Sequence, residues 1–290
     1  MPEFLTVKEL AELLRIKERK VYDLAASGAV PCSKVTGKLL FPEAEVRAWI
    51  ASGRSGPGPI ATRPDAPDVI LGSHDPLLSW ALRQSRAGLA TYFDGSMDGL
   101  TRFAAGEGIA AGLHLIGTDG SWNIPDVQEI AGEMDAVLIA FARRQRGLVL
   151  RSEDQGRITG LADLPGLRVA ARPAGTGSDR LLRHALAEAG IDAALLQIAQ
   201  TTQSEEDAVF AVKSGSADVT FGLASVAAAH GLAFLPVIEE RFDLLLDRRR
   251  AFDPPLQALL HFLRGQAFRD HADQLGGYDV SEAGLVRWNA

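Results

Sequence analysis

Apolar positions in the first fifty residues fall at helical spacing twice and then change period. Thr6 followed by Glu9 forms a capping box, and Leu5 and Leu10 stand where a hydrophobic staple packs. A helix is therefore predicted from Thr6, with Leu10, Leu13 and Leu14 on one stripe. After "RIK" a second helix places Ile16, Val21, Leu24 and Ala25 inward and stops at Ser27 and Gly28. The segment "VPCSKVTGKLLFPEAEVRAWI" predicts a two-stranded ribbon turning at Thr36 and Gly37, then a helix with Val46, Trp49 and Ile50 inward.

From Ala51 to Asp68 the chain is rich in Gly, Pro and Ser without apolar periodicity, which predicts an interdomain linker. Short apolar strands then alternate with longer helical stretches: "VILGS" leads to "PLLSWALRQS", "GLATYF" to "GSMDGLTRFAAGE", and "IAAGLHLI", "AVLIAFARRQRGLVL" and "GLRVAARP" follow. Later come "DVTFGLASVAAAHG" and "LAFLPVIEERFDLLLD". This alternation predicts an α/β domain with mainly parallel sheets.

Ligands of open α/β sheets sit beyond the carboxyl ends of strands, where loops lead into helix N-termini. Three loops fall there: Gly72 to Pro76, Asp94 to Leu100 and Ala171 to Asp179. Each offers small hydroxyl residues and backbone N–H groups at a helix start, an arrangement that suits an anion. The same composition also ends strands and caps helices with no ligand present.

Length and composition narrow the picture. At 290 residues, 47% apolar and 23% charged, the chain has room for two domains and a sizeable core. No basic region followed by an apolar run opens the chain, and no window holds the roughly 18 apolar residues of a membrane span. A cytoplasmic protein with no membrane partner is expected. The lone cysteine, Cys32, excludes an intramolecular disulfide and a multi-cysteine metal site, and reads as a small buried apolar residue. Eight basic residues face seven acidic ones in the first fifty positions, against 22 and 30 in the remainder, so the N-terminal end is the polyanion binder. No nucleophile-and-base arrangement, metal-ligand spacing or phosphate P-loop is present, and neither catalytic residues nor a cofactor nor a resident metal is expected.

Glu18, Arg19, Lys20, Tyr22 and Asp23 occupy the outer face of the second helix, either as a solvated surface or as a reading face. Lys34 and Lys38 flank the ribbon turn, within reach of phosphates. Residues 5–50 resemble the winged helix-turn-helix of the MerR and excisionase families. The resemblance implies that Lys17 to Ala26 is the recognition helix, laid in the major groove of double-stranded DNA, with Lys34 to Lys38 as a wing on the backbone. Lys17 stands where such domains carry Ser or Thr, which weakens the cap and adds a phosphate-seeking charge. A single copy binds DNA weakly, so a homodimer is expected.

From about Val69 to Trp288 the landmarks "GSHDPLL", "GSMDGL", "AAGLHLI", "RRQRGLVL", "GLRVAARPAGTGSDRLL", "SGSADVTFGLASVAAAHGL", "PVIEERFDLLL" and "LGGYDVSEAG" occur in order. They are similar to the periplasmic-binding-protein-like (type II) domain of helix-turn-helix regulators, often described as molybdate or tungstate binding. The resemblance implies two α/β lobes joined by crossover strands near "RRQRGLVL" and "PVIEERFDLLL", closing on a ligand by hinge motion. The expected organisation is a helix-turn-helix domain over residues 1–52, a linker over 53–67 and a sensing domain over 68–290, its second lobe about 147–236.

Ser73 and His74 sit at the expected first-lobe loop, and Ser96 at the second; His74 reads equally as a capping or surface imidazole. His114 lies at a strand end, facing the cleft or satisfied in the core. Arg172 offers planar donors for an oxyanion or carboxylate, with a surface ion pair as the plain alternative. Gly175, Thr176, Gly177 and Ser178 form the candidate cradle. Where related sequences often read "GSGTR", this chain places Asp179 after the hydroxyl residue and Arg180 one later. "SEEDAV" replaces a Thr-His pair. Glu205, Glu206 and Asp207 read as a solvated helix start, but acids facing the cleft would disfavour a plain dianion and point to a larger, partly cationic or pterin-type ligand. The expected function is a one-component transcriptional regulator that senses a small ligand, foremost molybdate or tungstate. An organic or molybdenum-pterin ligand, a molybdenum storage or delivery protein, and an enzyme on the same fold are the alternatives.

Overall fold

The computed structural model describes residues 4–35, 37–52 and 66–290, and the chain divides into two compact units, Met1–Thr62 and Arg63–Ala290. In the first unit β1 (Phe4–Leu5) leads to α1 (Val7–Leu14), α2 (Glu18–Ala26), β2 (Ser33–Val35), β3 (Lys38–Pro42) and α3 (Glu43–Ser52). The capping box forms as its residues dictate: the Thr6 hydroxyl accepts from the Glu9 amide, and Glu9 Oε2 accepts from the Thr6 amide at 2.8 Å. Leu10, Val21, Phe41 and Val46 fill the core. The strands run β1-β3-β2, so Leu5, read with Leu10 as a staple, also joins Phe4 in a strand. Three inward assignments change: Leu13, Ile50 and Cys32 are exposed, because Leu10, Ala11 and Leu14 of α1 and Val46 and Trp49 of α3 already fill this small core. The predicted turn residue Thr36, and positions 53–65 of the predicted linker, lie outside the described residues.

The second unit begins with β4 (Val69–Gly72), α4 (Pro76–Ser85), β5 (Ala90–Tyr92), α5 (Ser96–Ala105), β6 (Ala110–Leu113), α6 (Ile124–Ala131) and β7 (Ala136–Leu150). It continues with β8 (Arg168–Ala171), α7 (Gly177–Glu188), β9 (Gln197–Thr201), α8 (Glu205–Lys213), β10 (Val219–Leu223), α9 (Ala224–Ala229) and β11 (Ala233–Asp247). Helices α10 (Pro254–Leu263) and α11 (Gln266–Leu275) and strands β12 (Tyr278–Asp279) and β13 (Val286–Asn289) end it. The sheet order is β5-β4-β6-β11-β7-β10-β8-β9, with β12 and β13 also paired to β7.

Parallel pairing is confined to the ends of this sheet, β5-β4-β6 in one lobe and β10-β8-β9 in the other. The middle is antiparallel, which corrects the expectation of mainly parallel sheets: β7 and β11, each 15 residues, pair from Ala136↔Asp247 to Leu150↔Ala233. A strand that long extends about 50 Å, enough to traverse both lobes. The sequence pattern explains its course. "AVLIAFA" lies in the first-lobe core and "GLVL" in the second, while "RRQR" crosses between them opposite "EER" of β11. Pro236, which has no amide to donate, sits at a bulge in that ladder.

Candidate functional site

The middle of β7 fixes the floor of the site. Strand alternation puts Arg144 and Arg146 on one face, and the β11 register brings Glu240 beside both. Arg146 Nε donates to Glu240 Oε1 at 2.9 Å, and Arg144 Nη2 lies 2.6 Å from the same oxygen. Arg144 Nη1 reaches Asp75 Oδ2 at 2.9 Å, and the Tyr278 hydroxyl donates to that carboxylate oxygen at 2.8 Å. Asp75 also caps α4 through the Leu78 amide, so Asp75 rather than His74 is the capping side chain. All four charged side chains are sealed from water. Burial pushes the Glu240 carboxyl up, but Arg144 and Arg146 outweigh it and hold it well below the usual carboxylate range.

Above this floor lies a cavity of about 510 Å³. From the first lobe Ser73, His74 and His114 line it; from the second come Arg172, Thr176, Gly177 and Ser178, with Arg146 between. A hollow of about 710 Å³ near Glu129, Glu133 and Trp288 is larger, but it is open to solvent and touches none of the candidate ligand residues.

Ser96 lies one step behind the wall. Its buried hydroxyl bonds Ser73 Oγ at 2.8 Å and accepts from the His114 amide at 3.0 Å, so it positions two lining residues. His114 is buried with Nδ1 3.0 Å from Glu240 Oε2 and its ring stacked on Phe242. Burial holds its pKa below the ordinary value against the pull of Glu240. The ionised Glu240 can only accept, so Nδ1 carries the proton of a neutral ring and Nε2 is left as an acceptor. Gly177 presses against that edge: a Cβ there would stand 2.7 Å from His114 Cε1.

The second-lobe cradle is only partly as expected. Thr176 caps α7 by accepting from the Asp179 amide, and Ser178 Oγ accepts from Arg146 Nη1 and donates to Glu205 Oε1, both at 3.0 Å. Gly175 does not line the cavity; its amide donates to Asp179 Oδ2 at 2.9 Å. Asp179 also takes Arg183 Nε at 3.0 Å, so its charge is spent outside the cavity instead of repelling a ligand within it. Arg180 spans to the first lobe, pairing with Asp126 at 3.0 Å.

Arg172 is different. Its Nε and Nη1 are shielded from solvent and have no hydrogen-bond partner among the described residues, and burial lowers its pKa against the pull of Glu205. The surface ion pair weighed for it does not form among the described residues. Glu205 is no solvated helix start either: Arg146 Nη1 holds its Oε1 at 2.7 Å, while Oε2 is buried without a partner. Burial pushes its carboxyl up, and Arg146 and Arg172 more than offset that, leaving its pKa lowered.

In the first unit, Arg19, Lys20 and Tyr22 of α2 are exposed, as are Lys17 at its start and Lys34 and Lys38 on the ribbon. Lys17 makes no side-chain cap. Lys34 faces Leu39 across the ladder and Lys38 faces Val35.

Two helices followed by a two-stranded ribbon in one unit, and in the other a two-lobed sheet around a polar cavity, define a helix-turn-helix protein carrying a binding-protein domain. The chain belongs to the PBP superfamily, whose domain matches residues 79–264, and a helix-turn-helix domain matches residues 4–54. The uncharacterized protein YvgK of Bacillus subtilis (strain 168) is 26% identical over 97% of this chain and 96% of its own length. A Clostridium pasteurianum protein from the 5′ region of a ferredoxin 2Fe-2S gene is 28% identical over 26% of this chain and 67% of its own. Among solved structures, the sulfate-binding protein SubI from Mycobacterium tuberculosis H37Rv superposes with a TM-score of 0.55 at 18% identity, over 72% of this chain and 84% of that one. A Clostridium perfringens protein described as a phosphate ABC transporter substrate-binding protein, with bound phosphate, gives 0.50 at 13% identity, over 71% and 96%. These likenesses carry the fold. The pairing of the two domains fits a ligand-sensing DNA-binding regulator. No helix among the described residues is long and apolar enough to cross a membrane.

Proposed function

We propose that the chain is a one-component transcriptional regulator of the cytoplasm. Residues 1–52 bind operator DNA through Lys17, Arg19, Lys20 and Tyr22, with Lys34 and Lys38 on the backbone, and two copies pair to read two half-sites. Residues 68–290 sense a small ligand between the lobes, the second spanning about 147–236. Ser73, His74, His114, Arg172, Thr176, Gly177 and Ser178 contact that ligand; Ser96 and Gly175 shape the wall behind them.

One observation carries the ligand's charge: the partnerless guanidinium nitrogens of Arg172 beside the N-terminus of α7. An oxyanion such as molybdate or tungstate is the simplest ligand this reading admits. A second reading, an organic or molybdenum-pterin ligand, is favoured by the size of the cavity and by Glu205 and Glu206 on its wall.

The test is a thermal-shift series on the full chain with molybdate, tungstate, sulfate, a panel of pterins, small carboxylates and amino acids, followed by operator binding at fixed salt. Ligand that binds the native state raises the melting temperature by mass action. The expected result is a rise that Arg172→Ala removes, together with a changed operator affinity at saturation. Unchanged affinity at saturating ligand defeats the sensor reading.

A further inference from the structure

We infer that the ligand is an organic zwitterion, with its anionic group at Arg172 and a hydrogen-bond-donating cationic group facing the acids that line the same cavity, and that Glu206 and Asp94 select against bare oxyanions. The inference rests on the proposed sensing cavity and names what fills it.

The charges around the cavity settle into committed and free groups. Arg146 is held by Glu205 and Glu240, and Asp98 by Arg102 at 2.8 Å. That leaves Arg172 as the uncommitted cation on the wall, against Asp94 and Glu206, which form no hydrogen bond or ion pair among the described residues. A dianion placed at Arg172 would meet two free carboxylates at the same mouth. A ligand with one charge of each sign meets a partner for both.

The helix ends point the same way. α8 opens with Glu205, Glu206 and Asp207, so its own acids already occupy the positive end of its dipole. α7 and Arg172 are left as the anion-binding corner. The Glu205 carboxylate supplies a second argument, because its buried Oε2 lacks a partner and, being ionised, can only accept. Molybdate, tungstate and sulfate at neutral pH are also pure acceptors and leave that oxygen unmet. An ammonium or amidinium group donates to it once the lobes close.

Size agrees with this. A cavity of about 510 Å³ lies in the range of roughly 300–1,000 Å³ that holds organic ligands. A tetrahedral ion with four oxygens leaves most of it to water.

The experiment uses the full chain and two surface-exposed substitutions, Glu206→Gln and Asp94→Asn, singly and together. Binding is measured by calorimetry for molybdate and tungstate, and for the standard L-amino acids and taurine, each beside its analogue without the amino group. The expected result is at least one zwitterion that binds tenfold or more tighter than its deaminated analogue, with the double variant reducing that preference several-fold and strengthening molybdate binding tenfold or more. Molybdate or tungstate binding that needs Arg172 but is indifferent to the double substitution overturns this inference and leaves the sensing cavity standing. Failure of every probe on both wild type and double variant overturns the two together.

Discussion

Arg146 and Glu240 meet across the two crossover strands, Nε to Oε1 at 2.9 Å, with 1% and 0% of their side chains exposed. The same carboxylate holds Arg144, so one acid neutralises part of two buried guanidinium groups exactly where the chain passes between lobes. Removing one partner of a buried charge pair costs about 3–5 kcal/mol, because the remaining charge stays buried. Glu240→Gln is therefore expected to lower unfolding stability by about that amount in urea titrations; a loss below about 1 kcal/mol would refute the account. The sign with pH follows from the depressed native pKa: the stabilisation is complete above the ordinary carboxylate range and is lost only in strong acid. The gap between wild type and variant should shrink as the pH falls below about 4.

Asp243, three positions along β11, behaves oppositely. Burial pushes its carboxyl up to about 6, although the Asn123 amide donates to it at 2.7 Å and Arg287 pulls the other way. An acid with a raised native pKa binds its proton longer folded than unfolded, so its contribution is complete below about pH 4 and fades as the pH rises through about 6. Asp243→Asn keeps the shape without the charge. The variant should gain up to about 3 kcal/mol relative to wild type between pH 4 and pH 7.5, at 1.36 kcal/mol per unit. Parallel stability profiles over that interval would disprove the shift.

Local rules read the N-terminal domain well, since a capping box spans four residues, Thr6 to Glu9, and a helix end needs only Ser27 and Gly28. Leu13 and Ile50 escaped because a short helix offers more apolar positions than a core of this size uses. In the large domain, the loops bearing Ser73, Thr176 and Ser178 were legible as strand-to-helix turns. The floor was not. Arg144 and Arg146 alternate within the polar run "RRQR" of β7, a sign of one shared face, but their partners at Asp75, Glu205 and Glu240 lie 59 or more residues away, at the cap of α4 and on α8 and β11, and appear only once the sheet is assembled. Glu205 was misread for a related reason: acids at a helix start are explained by the dipole alone, and nothing local distinguishes one that turns inward.

Gly177 tests how closely the lobes must approach. Its backbone angle suits any residue, but a methyl group there would meet His114 Cε1 at 2.7 Å, and that ring cannot yield because Glu240 and Phe242 hold it. Overpacking of this kind costs about 1–3 kcal/mol. Gly177→Ala should weaken ligand binding tenfold or more by calorimetry, and His114→Ala in the same chain should recover part of the loss. Additive effects in that double-mutant cycle would show that the two residues do not gate closure together.

The DNA-binding face gives a prediction that separates charge from structure. Arg19 and Lys20 are exposed on α2 and make no ion pair among the described residues, so Arg19→Ala and Lys20→Ala should leave the melting temperature within about a degree, since such surface changes stay within about 0.5 kcal/mol. Each basic side chain that neutralises a phosphate releases counterions, and its loss should flatten the slope of log affinity against log salt by about 0.9. A residue that reads a base edge instead weakens binding to the operator more than to random DNA, by about 1–3 kcal/mol, so comparing the two sequences at each salt concentration assigns the role. Substituting Tyr22, which carries no charge, should leave the slope unchanged. If neither arginine nor lysine alters affinity or slope, α2 is not the element that lies on DNA, and the helix-turn-helix serves a protein contact instead.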